Sequence, residues 1–312
     1  MDKISNKKIT MLTSTLICIA LLLTPICSAG LIVKDNIKND NFQKISKLNQ
    51  YKQTAEPEYW ALIFAVGVYK NNPNQDRPSM LDAADNLYDV LTDSPDWQAD
   101  HIHKVTDVQA TGKNLIKELF WLIKSSDNDD LVLVYLTTHG GHLVNFNGLP
   151  LDLPPRDEAD GSDELLVMYE GFENWYAIIW DDLLNFLLGR IKSQGVCLIV
   201  DSCYSGGFND PPFGNIGSEI FNAESFGREF GEELANKNRI VLMSSQENEV
   251  SYGSYFSELL IDGLGGLGDL FGNGNGENSA EECFAYAKFW LDLLGEQHPT
   301  IYDGFTGEFP IT

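Results

Sequence analysis

Cys203 and His139 are the two residues whose types and settings point to covalent chemistry. Val196-Cys197-Leu198-Ile199-Val200 is an apolar run, followed at once by Asp201-Ser202-Cys203-Tyr204-Ser205-Gly206-Gly207. β-Branched residues at three of the five positions predict a strand buried on both faces. Chemistry in open α/β sheets gathers at the carboxyl ends of such strands, and the glycines behind Cys203 leave room for a substrate backbone. Leu131-Val132-Leu133-Val134-Tyr135-Leu136 is a second such run, leading into Thr137-Thr138-His139-Gly140-Gly141-His142. If the two strands are neighbours in one parallel sheet, His139 and Cys203 meet above one edge. A thiolate there is a nucleophile, and an adjacent imidazole generates it or protonates the leaving group. An isolated apolar cysteine is more often an inert small hydrophobe, and Cys197 is read that way. His142 competes with His139, which is preferred because glycine follows it and leaves space for substrate.

The elements that must position this pair alternate along the chain. Tyr59 to Val68 reads as a strand, Ala83 to Leu91 as a helix, and His101 to Val105 as a short strand. A helix from Thr111 places Leu115, Ile116, Leu119, Phe120 and Ile123 on one face. After the His139 strand come a long acidic loop, a helix from about Asp181 to Ile191, and the Cys203 strand. Glu219 to Asn236 is read as helical, Ile240 to Met243 as a buried strand, and Ser254 to Ile261 and Ala280 to Leu294 as helices. This order predicts an α/β protein, a mostly parallel sheet with helices on both faces.

The chain has 312 residues, 21 Lys+Arg against 46 Asp+Glu and a net charge of −25. An acidic surface excludes phosphate-backbone partners, so no nucleic acid is expected. It favours cationic substrates and bound metal cations. Gly263-Leu264-Gly265-Gly266-Leu267-Gly268 matches a dinucleotide fingerprint in letters only, since no strand precedes it, and no nucleotide is expected. The segment from Asn273 to Glu282 has the look of a calcium loop, but its first ligand position falls on Phe271; it is read as a flexible turn.

Lys3, Lys7 and Lys8 precede an apolar run from Met11 to Ile26, with Cys27-Ser28-Ala29 behind it. That is the layout of a signal peptide over 1–29, with cleavage after Ala29 and an exported product. A retained N-terminal membrane anchor is the alternative. Residues 30–57 read as a linker or pro-segment. Of the five cysteines, Cys197, Cys203 and Cys283 lie beyond the leader. An odd, widely spaced set is no disulfide framework and leaves at least one free thiol.

The Thr138-His139-Gly140-Gly141 and Asp201-to-Gly206 elements, in this order, resemble those of caspase-like cysteine peptidases, close to the metacaspases and the legumain-type enzymes. Asp157 to Glu164, Met243-Ser244-Ser245 and Ser251-Tyr252 add to the resemblance, which covers roughly 59–260. It departs at Thr137-Thr138, where the family usually has Ser-Gly, and at Tyr204, where His is frequent. The resemblance implies a three-layer caspase-like fold for a peptidase domain over 58–312, carrying a Gly/Asn-rich insertion near 262–278. It implies hydrolysis of peptide or protein substrates through an acyl-enzyme, with His139 and Cys203 catalytic and the N–H groups of Gly140 and Cys203 holding the oxyanion. Asp201 lies two residues before Cys203, on the same side of an extended strand, where its carboxylate would complement a cationic P1 side chain. The resemblance agrees and adds Asp82, with Ser244, Ser245 and Tyr252 as further substrate-binding positions. It requires no cofactor for the chemistry. It offers Asp163, Asp181, Asp182 and Asp210 as calcium ligands for an activating ion, although Asp181-Asp182 also begins a helix, where acids are favourable without metal. Asp157 to Glu164 is alternatively a processing loop. Three other readings stay open: a legumain-like Asn-specific peptidase, a transpeptidase, and a non-catalytic exported protein that binds calcium or peptides.

Overall fold

The computed structural model describes residues 57–145, 149–156, 161–174, 177–203, 234–235, 237–244, 254–295 and 297–312. The expected leader and linker over 1–56, most of the Glu219–Asn236 helix, the first half of the Asp157–Glu164 loop, and Ser245, Tyr252 and Asp210 lie outside them.

β1 (Tyr59–Ala65) pairs in parallel with β2 (Ile102–Thr106) and β3 (Leu131–His142). β3 carries β4 (Glu164–Val167) antiparallel on its far half, and β4 in turn pairs with β5 (Ile178–Trp180). β6 (Gly195–Cys203) lies parallel to β3, β7 (Arg239–Met243) parallel to β6, and β8 (Thr300–Asp303) antiparallel to β7. The main order is β2-β1-β3-β6-β7-β8.

Strand alternation divides the core into two layers. Leu62, Phe64, Val132, Val134, Leu198 and Val200 face one side, where α2 (Gly112–Ser125) contributes Leu115, Leu119 and Leu122 and α3 (Asp181–Leu188) contributes Leu184 and Leu187. Ala61, Ile63, Leu133, Tyr135, Cys197 and Ile199 face the other. There α1 (Ser79–Asp93) supplies Ala83, Ala84, Leu87 and Leu91, α4 (Tyr255–Asp262) supplies Phe256 and Leu260, and α5 (Ala280–Leu294) supplies Cys283, Ala287 and Leu291. Helices on both faces of a mostly parallel sheet make the three-layer α/β architecture that the alternation predicts. The helices start where the sequence signals them. Thr111 accepts the Asn114 N–H at the head of α2, and Ser279 and Glu282 form a reciprocal capping box at the head of α5.

Three readings change. The apolar run Leu131–Leu136 is only half of β3, which continues as strand through His142. The reason lies far along the chain: β4 takes up the edge that β1 leaves, with His139 opposite Val167 and His142 opposite Glu164. The long acidic loop before α3 is therefore partly a β4–β5 hairpin, too short in each arm to carry a readable period. The Gly/Asn-rich insertion near 262–278 begins as a continuation of α4, a π-wound turn (Gly263–Leu267) running into a short helix (Gly268–Phe271). A Cβ on Gly268 would fall 2.8 Å from the Cys283 sulfur and one on Gly263 3.0 Å from the Cys283 Cα, so these two glycines serve close helix–helix approach. The turn after it is held by side chains: Asn273 accepts the Asn275 N–H, Asn275 the Glu277 N–H, and Asn278 the Asp269 N–H.

Candidate active site

The parallel pairing of β3 with β6 runs in register from Leu131↔Gly195 to His139↔Cys203. His139 and Cys203 thus occupy partner positions at the last step of the ladder, on strands that run about 4.8 Å apart. His142 lies three residues past that step and is buried in another setting, with Nδ1 3.4 Å from the Glu164 carboxylate. The register brings His139, and not His142, beside Cys203.

The setting of His139 determines its tautomer. Its Nε2 lies 2.9 Å from the Gln75 carbonyl oxygen, which can only accept, so Nε2 carries the proton. Nδ1 is then the basic nitrogen, and it is buried with no hydrogen-bond partner among the described residues. The ring stacks on Tyr69, centroids 5.0 Å apart, and meets the edge of Phe172 at 5.8 Å. The His139 N–H donates to the Tyr69 hydroxyl at 2.8 Å. Burial pushes the imidazole down to about 4; the Gln75 carbonyl opposes this, and the nearby Arg77 charge adds to it. His139 is therefore a neutral base at pH 7.

Asp201 is fully buried on β6, beside Thr137 in register. Ser257 of α4 donates to its Oδ2, and the Tyr135 hydroxyl lies 2.7 Å behind Ser257. Ser257 has spent its proton on the carboxylate, so Tyr135 is the donor in that second bond. Oδ1 has no donor at hydrogen-bond distance among the described residues, and Ser244 joins Ser257 in favouring the ionised carboxyl. Ser244 itself is buried at the tip of β7 and donates to the Ser202 carbonyl at 3.2 Å. Burial pushes the Asp201 carboxyl up to about 6, with the hydrogen bond from Ser257 opposing. A buried carboxylate with one open oxygen is costly unless a donor or cation reaches it. Asp82 is elsewhere in kind: it sits in the first turn of α1 and is exposed. Gly140 follows His139 inside β3, paired with Leu166.

A second polar cluster lies at the open end of the β4–β5 hairpin, just beyond the last pair, Leu165 with Trp180, where Glu164 begins β4 and Asp181 begins α3. Asp163, Asp181 and Asp182 each offer an oxygen within 4.8 Å of the others. Asp181 accepts the N–H groups of Glu164 and Asp182, at 3.2 and 2.9 Å. Asp163 accepts the Leu153 N–H at 2.7 Å through Oδ2, while its buried Oδ1 has no partner among the described residues. Burial pushes Asp163 up to about 6. Burial, together with a hydrogen bond to Glu164 and its charge, holds Asp181 well above the ordinary carboxylate range. Crowded carboxyls with an orphaned buried oxygen are hard donors, which fits a calcium ion.

Residue typing alone misses Gln75, Tyr69 and Phe172. Gln75 acts through a backbone carbonyl, which has no signature in side-chain identity. Tyr69 is the one with a usable signal: an aromatic placed just after a strand that ends beside the His139 strand.

A family model of the caspase domain matches residues 58–289. Metacaspase-1 of Saccharomyces cerevisiae is 27% identical over 237 residues, covering 73% of this chain and 50% of that protein. Metacaspase-1 of Candida glabrata is 26% identical over 206 residues, 61% of this chain and 50% of its own length. The chain thus spans about half the length of these curated relatives. A crystal structure of a protein from Geobacter sulfurreducens superposes with a TM-score of 0.54 at 17% identity, over 80% of this chain and 95% of that one, a likeness of fold alone.

Proposed function

The chain belongs to the caspase-domain family, and on that premise we propose that it is a cysteine endopeptidase working through His139 and Cys203, with preference for Arg or Lys at P1. The register His139↔Cys203 is the observation that carries the reading. The Cys203 thiol gives its proton to His139 Nδ1 as the sulfur attacks the scissile carbonyl carbon. The carbonyl oxygen takes the negative charge and accepts hydrogen bonds from the N–H groups of Gly140 and Cys203. Collapse breaks the C–N bond, the departing amine takes the proton from His139, and an acyl-enzyme remains. Water, deprotonated by His139, then releases the acid and restores the thiol.

Basic P1 preference is supported by the buried Asp201 carboxylate and its open oxygen. On fluorogenic peptides with Arg, Lys, Asn or Asp at P1, cleavage after Arg and Lys is expected to dominate; fast cleavage after Asn or Asp alone refutes the preference. Asp201→Asn should lower kcat/KM for the Arg peptide by about 100-fold, the cost of stripping the partner from a buried charge. Because the carboxyl is raised to about 6, it is protonated below that pH and ionised above it. Cleavage after Arg by the native chain should therefore climb as pH rises through about 6, and Asp201→Asn should abolish that climb.

Asp163, Asp181 and Asp182 would hold an activating calcium ion, whose charge would relieve the repulsion among them and brace the hairpin paired with the His139 strand. A chelator is expected to lower activity about tenfold, with recovery in millimolar calcium. Affinity should weaken as pH falls, because Asp163 and Asp181, both raised by burial, take up protons that compete with the ion. Asp163→Asn should remove the calcium response; a native enzyme indifferent to both chelator and calcium counts against the site.

A further inference from the structure

We propose that the Tyr69 and Thr138 hydroxyls form a one-way relay that positions His139, deepening the peptidase reading on which this role rests. Thr138 Oγ1 donates to the Val167 carbonyl oxygen, which can only accept. The Thr138 proton is therefore spent, and at 2.9 Å from it the Tyr69 hydroxyl must be the donor. The Tyr69 oxygen is then left to accept the His139 N–H at 2.8 Å. The three bonds have a single proton order, from the His139 N–H through Tyr69 and Thr138 to the Val167 carbonyl, and the two side chains involved are both buried. Buried chains of this kind polarise one another and tolerate no missing member.

The relay ties together three segments that meet only in the folded protein: the chain after β1, the tip of β3, and β4. Tyr69 is itself fixed, its N–H donating to the Asp76 carboxylate at 2.8 Å. Gln75, the residue before Asp76, presents its carbonyl to His139 Nε2. The chain from Tyr69 to Asp76 thus holds His139 by its backbone N–H, by its ring face and by one ring nitrogen. Thr138 stands where the similar motif carries glycine, which has no hydroxyl to complete such a chain. The relay therefore belongs to this chain's own version of the motif.

Tyr69 and Thr138 are positioning residues, so their removal should act on turnover more than on substrate binding. Tyr69→Phe and Thr138→Val are each expected to lower kcat about tenfold with KM within about twofold. The double variant should lose little more than the worse single, because both break one chain. Thr138→Ser, which keeps the hydroxyl, should restore turnover. The His139 imidazole titration followed by NMR should move up by about one pH unit in Tyr69→Phe as the ring loosens toward solvent. Turnover within twofold of native in both single variants, with an unmoved His139 titration, overturns the relay. If the native chain cleaves no peptide, the peptidase reading falls, and the His139 titration still tests the relay by itself.

Discussion

Cys203→Ala is expected to reduce kcat/KM by about 10,000-fold or more, to background, while the melting temperature stays within about 2 °C of native. The size follows from the lack of a substitute thiol among the described residues. Cys197 is buried in the core layer shared with α4 and α5, and burial drives its thiol well above the usual range. Cys283 is buried against the glycine turn, and its thiol is likewise raised by burial and by the neighbouring Glu282 and Glu281. Neither thiol ionises at neutral pH or reaches a substrate. The small effect on stability follows from position, because Cys203 is the last residue of β6 and the ladder to β3 is made by its backbone. Peptidase activity above a mock purification in the Cys203→Ala protein would refute the nucleophile.

His139→Ala should cost about 1,000-fold in kcat, at the upper part of the range for a lost acid–base group. Unlike the cysteine change it should also destabilise the fold, because it empties the space between Tyr69 and Phe172 and leaves the Gln75 carbonyl without its donor. His139→Gln, which fills more of that space, should recover stability but not turnover. A second consequence concerns the resting state. With the imidazole pushed down to about 4, His139 is neutral at rest and offers the thiol no standing cation. Alkylation of Cys203 by iodoacetamide should therefore climb with pH across the neutral range, instead of levelling off from acid pH as in ion-paired thiols. A plateau already at pH 5 would show that His139 is charged at rest.

The sequence reading succeeds and fails for physical reasons that particular residues expose. Leu131–Leu136 and Val196–Val200 are legible as strands because both faces are buried and every residue is apolar. That alternation of elements carries the layering, the helices and the meeting of His139 with Cys203. The continuation of β3 through Thr138, His139 and Gly140 is not legible, because it depends on β4, whose four residues show no period until β3 pairs with them. The stretch near 262–278 reads only as a Gly/Asn-rich insertion by composition, whereas contact with Cys283 makes Gly263 and Gly268 part of a helix seam. The carboxylates Asp163, Asp181 and Asp182 are visible one by one, but only the closing of the β4–β5 hairpin brings their oxygens within 4.8 Å. The hold on His139 is the least legible part. It consists of a carbonyl, a hydroxyl, one stacked ring and one edge-on ring, contributed by chain far from the Thr-His-Gly motif.

A peptidyl chloromethyl ketone with Arg at P1, followed by mass mapping of the modified thiol, reads the pairing of Cys203 with His139 at the reacting atoms. The expected result is one adduct per chain, on Cys203 alone, formed at least about 100-fold more slowly in His139→Ala. An adduct on Cys197 or Cys283, or modification of Cys203 at the native rate without His139, would contradict it.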